Sequence, residues 1–309
     1  MKKSILFIFT ACFLFTTSCS DFLDEEHKTK YSSEYVFGTP EGLKLAVNAL
    51  YALQRNYAND TENSTIFALE RGTDLAVTNG GTGNFYGIYD PNYLKPSAYQ
   101  VGFMWRTMYQ IIGKANEIIA AAEDLEDTPS LRATVSEAKC FRAQSYFLLY
   151  RTFDRIWLNV LPTTAENVND PRDFHAASEK EVFDLIYEDL EYAITNLDWV
   201  SDEAGRFTQA AARHMKAKAA LWLKDWDTTL EQVEEIEKSG HFDLIALKEV
   251  FNAGDLNHKE ALMVQQWSKN PGGNLSSASP KGNYFAAYFI AQYRTEIGET
   301  SEYSYTYHN

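Results

Sequence analysis

The sequence predicts a mainly α protein built from helix hairpins with long loop insertions. Three observations predict it. Helix-start signals recur along the chain, apolar residues follow them at i, i+3, i+4 spacing, and small residues stand where neighbouring helices would cross.

Thr39-Pro40-Glu41 reads as an N-cap, a proline at the first helical position and an acid in the first turn. The helix it opens runs through Leu43, Ala46, Val47, Leu50 and Tyr51. Residues 60–98 should be irregular, because Gly72, Gly80, Gly81, Gly83, Gly87, Pro91 and Pro96 interrupt any period. A second helix is expected over about 99–123, with Met108, Ile111, Ile112, Ala115, Ile118 and Ile119 on its apolar side. Thr128-Pro129 starts a third, which ends near Phe153. Ser178 and Glu181 form a capping box that opens a helix to Leu197. Thr208 caps an Ala-rich helix to Leu223, Lys224-Asp225 makes the turn, and Trp226–Lys238 is the hairpin partner, stopping at Gly240. Glu260 to Trp267 is expected as a strand, and 268–281 as a Gly/Ser/Asn/Pro-rich loop.

Ala143 with Tyr146, and Ala217 with Ala220 and Trp226, fall near the small and aromatic positions of tetratricopeptide units. The two alanines lie 74 positions apart, about twice the ~34-residue repeat. The same spacing serves any packed α-hairpin.

Composition narrows the function. Apolar residues at 45% and charged ones at 23% are ordinary globular values and exclude bulk disorder. With 28 Lys+Arg against 43 Asp+Glu, the formal charge is −15. Nucleic acid and anionic membrane surfaces need a basic face, so neither is an expected partner. Aromatics reach 14%, with 19 Tyr, 19 Phe and 6 Trp. So many tyrosines exceed what a core needs, and part of them should work at a surface.

Met1-Lys2-Lys3 is a basic start, and Ile5 to Phe15 is an apolar run of eleven residues. That run is too short to span a bilayer and suits a signal peptide, residues 1–18. Thr16-Thr17-Ser18-Cys19 then reads as a lipoprotein box, with Cys19 acylated and left as the new N-terminus. Losing Lys2 and Lys3 takes the charge from −15 to −17. Several acyl chains, at about 0.8 kcal/mol per buried methylene, hold such a protein durably on a membrane. Residues 19–35, with Asp21, Asp24, Glu25 and Glu26, form an acidic tether. No later segment has 18 consecutive apolar residues, so the chain should be anchored without spanning. Cys12 leaves with the leader and Cys140 sits alone in a helical pattern, a small buried apolar residue.

Catalytic apparatus is not indicated. The histidines at 27, 175, 214, 241, 258 and 308 lack metal-ligand spacing, and there is no G-x-S-x-G. Gly81-Thr82-Gly83 follows a plausible strand from Leu75 to Thr78, but Pro91 breaks the helix a dinucleotide loop requires. Glu70 and Asp74 could pair as glycosidase carboxylates, as many pairs could in so acidic a chain. Glu231, Glu234, Glu235 and Glu237 read as a solvated helix face. No enzyme, cofactor or metal is expected.

A binding surface remains. Aromatic rings stack on the C–H faces of sugars, and Asn, Asp, Arg and Gln bond their hydroxyls. Two loop regions have that composition. Residues 70–98 offer Arg71, Asp74, Asn84, Tyr86, Tyr89 and Tyr93, and residues 265–293 offer Gln266, Trp267, Tyr284 and Tyr288. Singly, each tyrosine reads more readily as a half-buried packing residue; the clusters carry the expectation.

Four stretches together resemble the SusD/RagB family of surface glycan-binding lipoproteins of Bacteroidetes. Ser18-Cys19-Ser20-Asp21-Phe22-Leu23-Asp24 is similar to its lipidated start. Trp105-x-x-Met108-Tyr109-x-x-Ile112-x-x-Ala115-Asn116-x-Ile118-Ile119 is similar to its long helix. Residues 137–147 match E-A-x-x-x-R-A-x-x-Y-F, the most specific of the four. Ala217-Lys218-Ala219 through Trp226 to Gly240 resembles its later tetratricopeptide hairpin.

The resemblance implies a right-handed tetratricopeptide scaffold over 36–250 with a loop insertion at 60–98 and a partial loop-rich region at 251–309. It implies non-catalytic capture of oligo- or polysaccharide on the outer membrane, facing outwards, and delivery to a SusC-like TonB-dependent transporter. A scaffold lipoprotein binding a peptide or protein partner is the alternative, and a surface glycosidase the third reading. Phe153-Asp154-Arg155-Ile156-Trp157-Leu158 stands where the family usually has a Gly and a Pro-Leu turn. Family members are also longer, so the chain resembles a C-terminally shortened one.

Overall fold

Ser32 accepts a hydrogen bond from the Tyr35 amide at 3.1 Å and opens a short helix, α1 (Ser33–Gly38), that the sequence signals did not reveal. The structure, a computed structural model, describes residues 31–59, 77–78, 99–172, 174–250, 257–265 and 306–307. Its long helices are α2 (Pro40–Asn59), α3 (Tyr99–Ala122), α4 (Pro129–Thr152), α5 (Glu179–Asn196), α6 (Gln209–Leu223) and α7 (Trp226–Lys238), with a short α8 (Leu247–Val250). The signal peptide, Cys19 and the tether up to residue 30 lie outside the described residues.

The expected caps are all in place. Thr39 Oγ1 accepts from the Gly42 amide, Thr128 from Leu131, and Thr208 from Ala211. Ser178 and Glu181 make both bonds of a capping box. Each such cap is worth about 1 kcal/mol, which is why these short patterns mark boundaries so well. At the α6–α7 turn Lys224 takes the left-handed conformation with φ +61°, usually left to glycine. Gly240 does the same after α7 at φ +69°. Gly42 answers a different need: a Cβ there would stand 2.1 Å from the Tyr35 carbonyl oxygen, because α2 passes tightly over α1.

Successive helices pack on one another from α2 to α7, with α4 central and touching α2, α3, α5 and α6. Leu43, Val47, Leu50, Ile111, Ile112, Ile118, Leu149, Ile186 and Leu190 are essentially fully buried. Burying each such side chain contributes roughly 1.5–3 kcal/mol. Small residues sit at the crossings, with Ala138, Ala143, Ala212, Ala219 and Ala220 at 0% exposure. This is the helical, tetratricopeptide-like scaffold the sequence predicts. Trp226, placed near an aromatic repeat position, is instead 57% exposed.

The expected strand from Glu260 to Trp267 is corrected over its described part. Residues 260–265 are irregular. Their neighbour is the loop after α7: the Asp243 amide donates to the Lys259 carbonyl, and the Ile245 amide to the Glu260 carboxylate at 3.1 Å. A strand needs a ladder partner, and this segment meets side chains and turns. Of the strand expected before Gly81, Val77–Thr78 is described, paired antiparallel with Thr306–Tyr307.

Candidate functional site

The two helical sequence patterns fold into one hydrogen-bonded frame. On α5, Asp189 is fully buried and accepts from Lys139 Nζ at 2.8 Å and from Arg142 Nε and Nη2 at 2.8 and 2.7 Å. Arg142 Nη1 donates to Asn116 Oδ1 on α3 at 2.9 Å, and Asn116 Nδ2 donates to the Asn159 carbonyl at 2.8 Å. Burial opposes the Arg142 charge, and the Asp189 carboxylate more than offsets it, so its pKa rises. The network therefore ties α3, α4, α5 and the 156–161 segment together.

Three tyrosines complete the frame. The Tyr109 hydroxyl both donates to the Trp157 carbonyl and accepts from its amide, each at 2.8 Å. Tyr146 does the same for Asn159. Tyr51 donates to Glu137 and accepts from the Phe207 amide at 2.7 Å. Burial pushes all three phenols up, Tyr51 and Tyr146 most, so they remain neutral donors. The most recognisable stretch, residues 137–147, is thus a structural lock: Glu137, Arg142 and Tyr146 satisfy buried partners, and Ala138, Phe141 and Ala143 pack.

Beside this frame a cavity of about 890 Å³ opens between α2, α4, α6, the 203–206 loop and the 260–265 segment. Its apolar floor includes Met108, Ile111, Ile186 and Leu190. Across the rim, Gln54 Nε2 donates to Gln144 Oε1 at 2.9 Å. Arg206 bridges Glu137 and Glu203 at 3.3 and 2.9 Å, and Glu203 also pairs with Lys44 at 3.0 Å. The Arg151 guanidinium lies 4.3 Å from the Phe147 ring centroid. His214 and Lys218 stand one turn apart on α6 and both line the cavity. Burial and the Lys218 charge together hold the His214 imidazole below its usual pKa.

The predicted site residues Arg71, Asp74, Asn84, Tyr86, Tyr89, Tyr93, Trp267 and Tyr284 lie outside the described residues, as do Glu70 and Cys19. Arg55, near the end of α2, and Gln265 both line the cavity. The sequence pointed to neither His214 nor Lys218. Their only signal was two polar side chains four apart in an Ala-rich helix.

Residues 21–221 match the model of the SusD-like family, described as starch-binding and associating with the outer membrane. A SusD-like protein of Bacteroides ovatus is 25% identical over 293 residues, covering 86% of this chain and 50% of that protein. The surface glycan-binding protein A of Bacteroides fluxus superposes with a TM-score of 0.64 at 22% identity, over 80% of this chain and 54% of that one. A structure solved with a xylogluco-oligosaccharide superposes at 0.61 and 22% identity, over 74% of this chain and 46% of that one. The chain spans about half the length of the curated relatives it matches.

Proposed function

The chain belongs to the SusD-like family, and from that premise we propose that it is a cell-surface glycan-binding lipoprotein. It captures oligo- or polysaccharide without cleaving it and delivers it to a SusC-like TonB-dependent outer-membrane transporter. The observation that carries this reading is the family match over 21–221, which takes in α1 to α5 and all but the last two residues of α6. Two features support it. A basic start, an apolar run and Ser18-Cys19 precede the fold, as a lipid anchor at Cys19 requires. Aromatic and amide residues cluster in 70–98 and 265–293, where Arg71, Asp74, Asn84, Tyr86, Tyr89, Tyr93, Trp267 and Tyr284 are the proposed sugar contacts.

Calorimetric titration of the mature chain carrying Cys19→Ser against starch, xylan, pectin, fructan and mucin glycans tests the proposal. Saturable binding to one glycan with no released product is expected, with loss on Tyr86→Ala, Tyr89→Ala or Tyr93→Ala while the helical circular dichroism persists. A folded, helical chain that binds none of them would overturn it.

One observation favours a second reading, a scaffold that engages a protein partner. Leu221, Trp222, Trp226, Leu230 and Val233 on α6 and α7 are 47–59% exposed. A row of large apolar side chains of this kind marks an interaction surface more often than an isolated one does. Leu230→Glu should then abolish complex formation with the co-expressed transporter; retained assembly would reject that surface.

A further inference from the structure

The described walls of the cavity hold more cations than acids, the reverse of the chain as a whole. Against a formal −15 for the protein, they carry Arg55, Arg151, Arg206 and Lys218, with Glu203 and Glu260 as the acids among the described residues. Both acids are already engaged, Glu203 by Lys44 and Arg206 and Glu260 by the Ile245 amide. Lys218 makes no ion pair or hydrogen bond among the described residues, whereas Arg206 pairs with Glu137 and Glu203. His214, one turn before it on the same face of α6, likewise makes no hydrogen bond among them. The same walls hold Gln265, whose buried Nε2 donor finds no acceptor there. Lys218 and His214 are solvent-exposed on the cavity wall, and together with the buried Gln265 amide they present three hydrogen-bond donors to whatever occupies it.

The remaining walls suit a sugar ring. Tyr51, Phe147, Met215 and Met263, each half-buried, complete the apolar floor with surface open to C–H faces, and the Gln54–Gln144 pair offers amide groups for hydroxyls. The volume of about 890 Å³ falls within the range of small-molecule sites.

We propose that this cavity is a subsite for an anionic saccharide, its carboxylate or sulfate held by Lys218 and His214 and its ring laid over the apolar floor. The inference rests on the glycan-capture reading and deepens it by naming the charge class of the ligand.

The mature chain is titrated at physiological salt with trigalacturonate, a sulfated tetrasaccharide, neutral maltotetraose and hexaglutamate. Anionic sugar should bind about tenfold or more tightly than the neutral one. Lys218→Glu should collapse that ratio towards one, whereas Lys218→Arg should keep most of it. Which of the two anionic sugars binds distinguishes carboxylate from sulfate as the natural group. Equal binding of neutral and anionic sugars overturns this inference alone, as does an anion preference that survives Lys218→Glu. Hexaglutamate binding with the same Lys218 dependence overturns it in favour of a peptide groove. A folded chain that binds no saccharide of any charge overturns the glycan-capture reading as well.

Discussion

The Tyr146 hydroxyl makes two hydrogen bonds to one residue, donating to the Asn159 carbonyl at 2.8 Å and accepting from the Asn159 amide at 2.7 Å. A side chain on α4 thereby does for the 156–161 segment what a neighbouring strand would do in a sheet. Tyr109 repeats the arrangement at Trp157, and Asn116 adds a bond to Asn159. Buried backbone groups must find partners, and here two helices supply them without any ladder.

Tyr146→Phe keeps the ring, which is 0% exposed, and removes only the hydroxyl. It should destabilise the protein by about 1–3 kcal/mol, since the Asn159 amide loses its partner while its carbonyl keeps only the Asn116 bond. Urea unfolding followed by circular dichroism reads this out, and a loss near zero would mean water takes over both bonds.

Asp189→Ala should be far more damaging than its size implies. It strands the cations of Lys139 and Arg142, at 10% and 5% side-chain exposure, without their shared carboxylate. Removing one partner of a buried pair costs about 3–5 kcal/mol. The combined change of Lys139, Arg142 and Asp189 to Met, Met and Leu should recover much of that loss. If the triple variant is no more stable than the single one, the charges are not the source of the penalty.

Glu137 gives a pH signature. Burial raises its pKa above the ordinary 4.5, only partly countered by the Tyr51 hydrogen bond and Arg206. The folded state then holds this proton more tightly than the unfolded chain does. Its contribution to stability is therefore present at low pH and is lost as pH rises from about 4.5 through the folded value. Glu137→Gln cannot ionise, so it should gain stability relative to the parent as pH rises from 4.5 to 7. Urea midpoints across that window decide it, and a parent that gains relative to the variant would show the Arg206 pair outweighing burial.

Much of the fold was legible because its signals are local. Thr39, Thr128, Ser178 and Thr208 cap helices where a short polar side chain can reach an amide three residues on, a relation visible in a line of sequence. The apolar faces of α3 to α6 follow the 3.6-residue period for the same reason. The strand expected at Glu260 failed because a strand exists only through a partner, and periodicity says nothing of whether one is near. The short α1 was missed because six residues carry too little pattern.

The candidate site divides in the same way. The aromatic loop residues are proposed from composition, which reports side-chain chemistry but not position. Many tyrosines pointed to a surface role, yet Tyr51, Tyr109 and Tyr146 turn out to be internal pins, each bound to backbone distant in sequence. The sequence by itself determined the long helices, their capped starts and the kinship carried by residues 137–147, since these depend on neighbours within a few turns. Only the tertiary structure decided that Asp189 meets Arg142 across 47 positions and that His214 and Lys218 line one cavity with Gln265. Such meetings are set by how whole helices pack, and no local spacing encodes them.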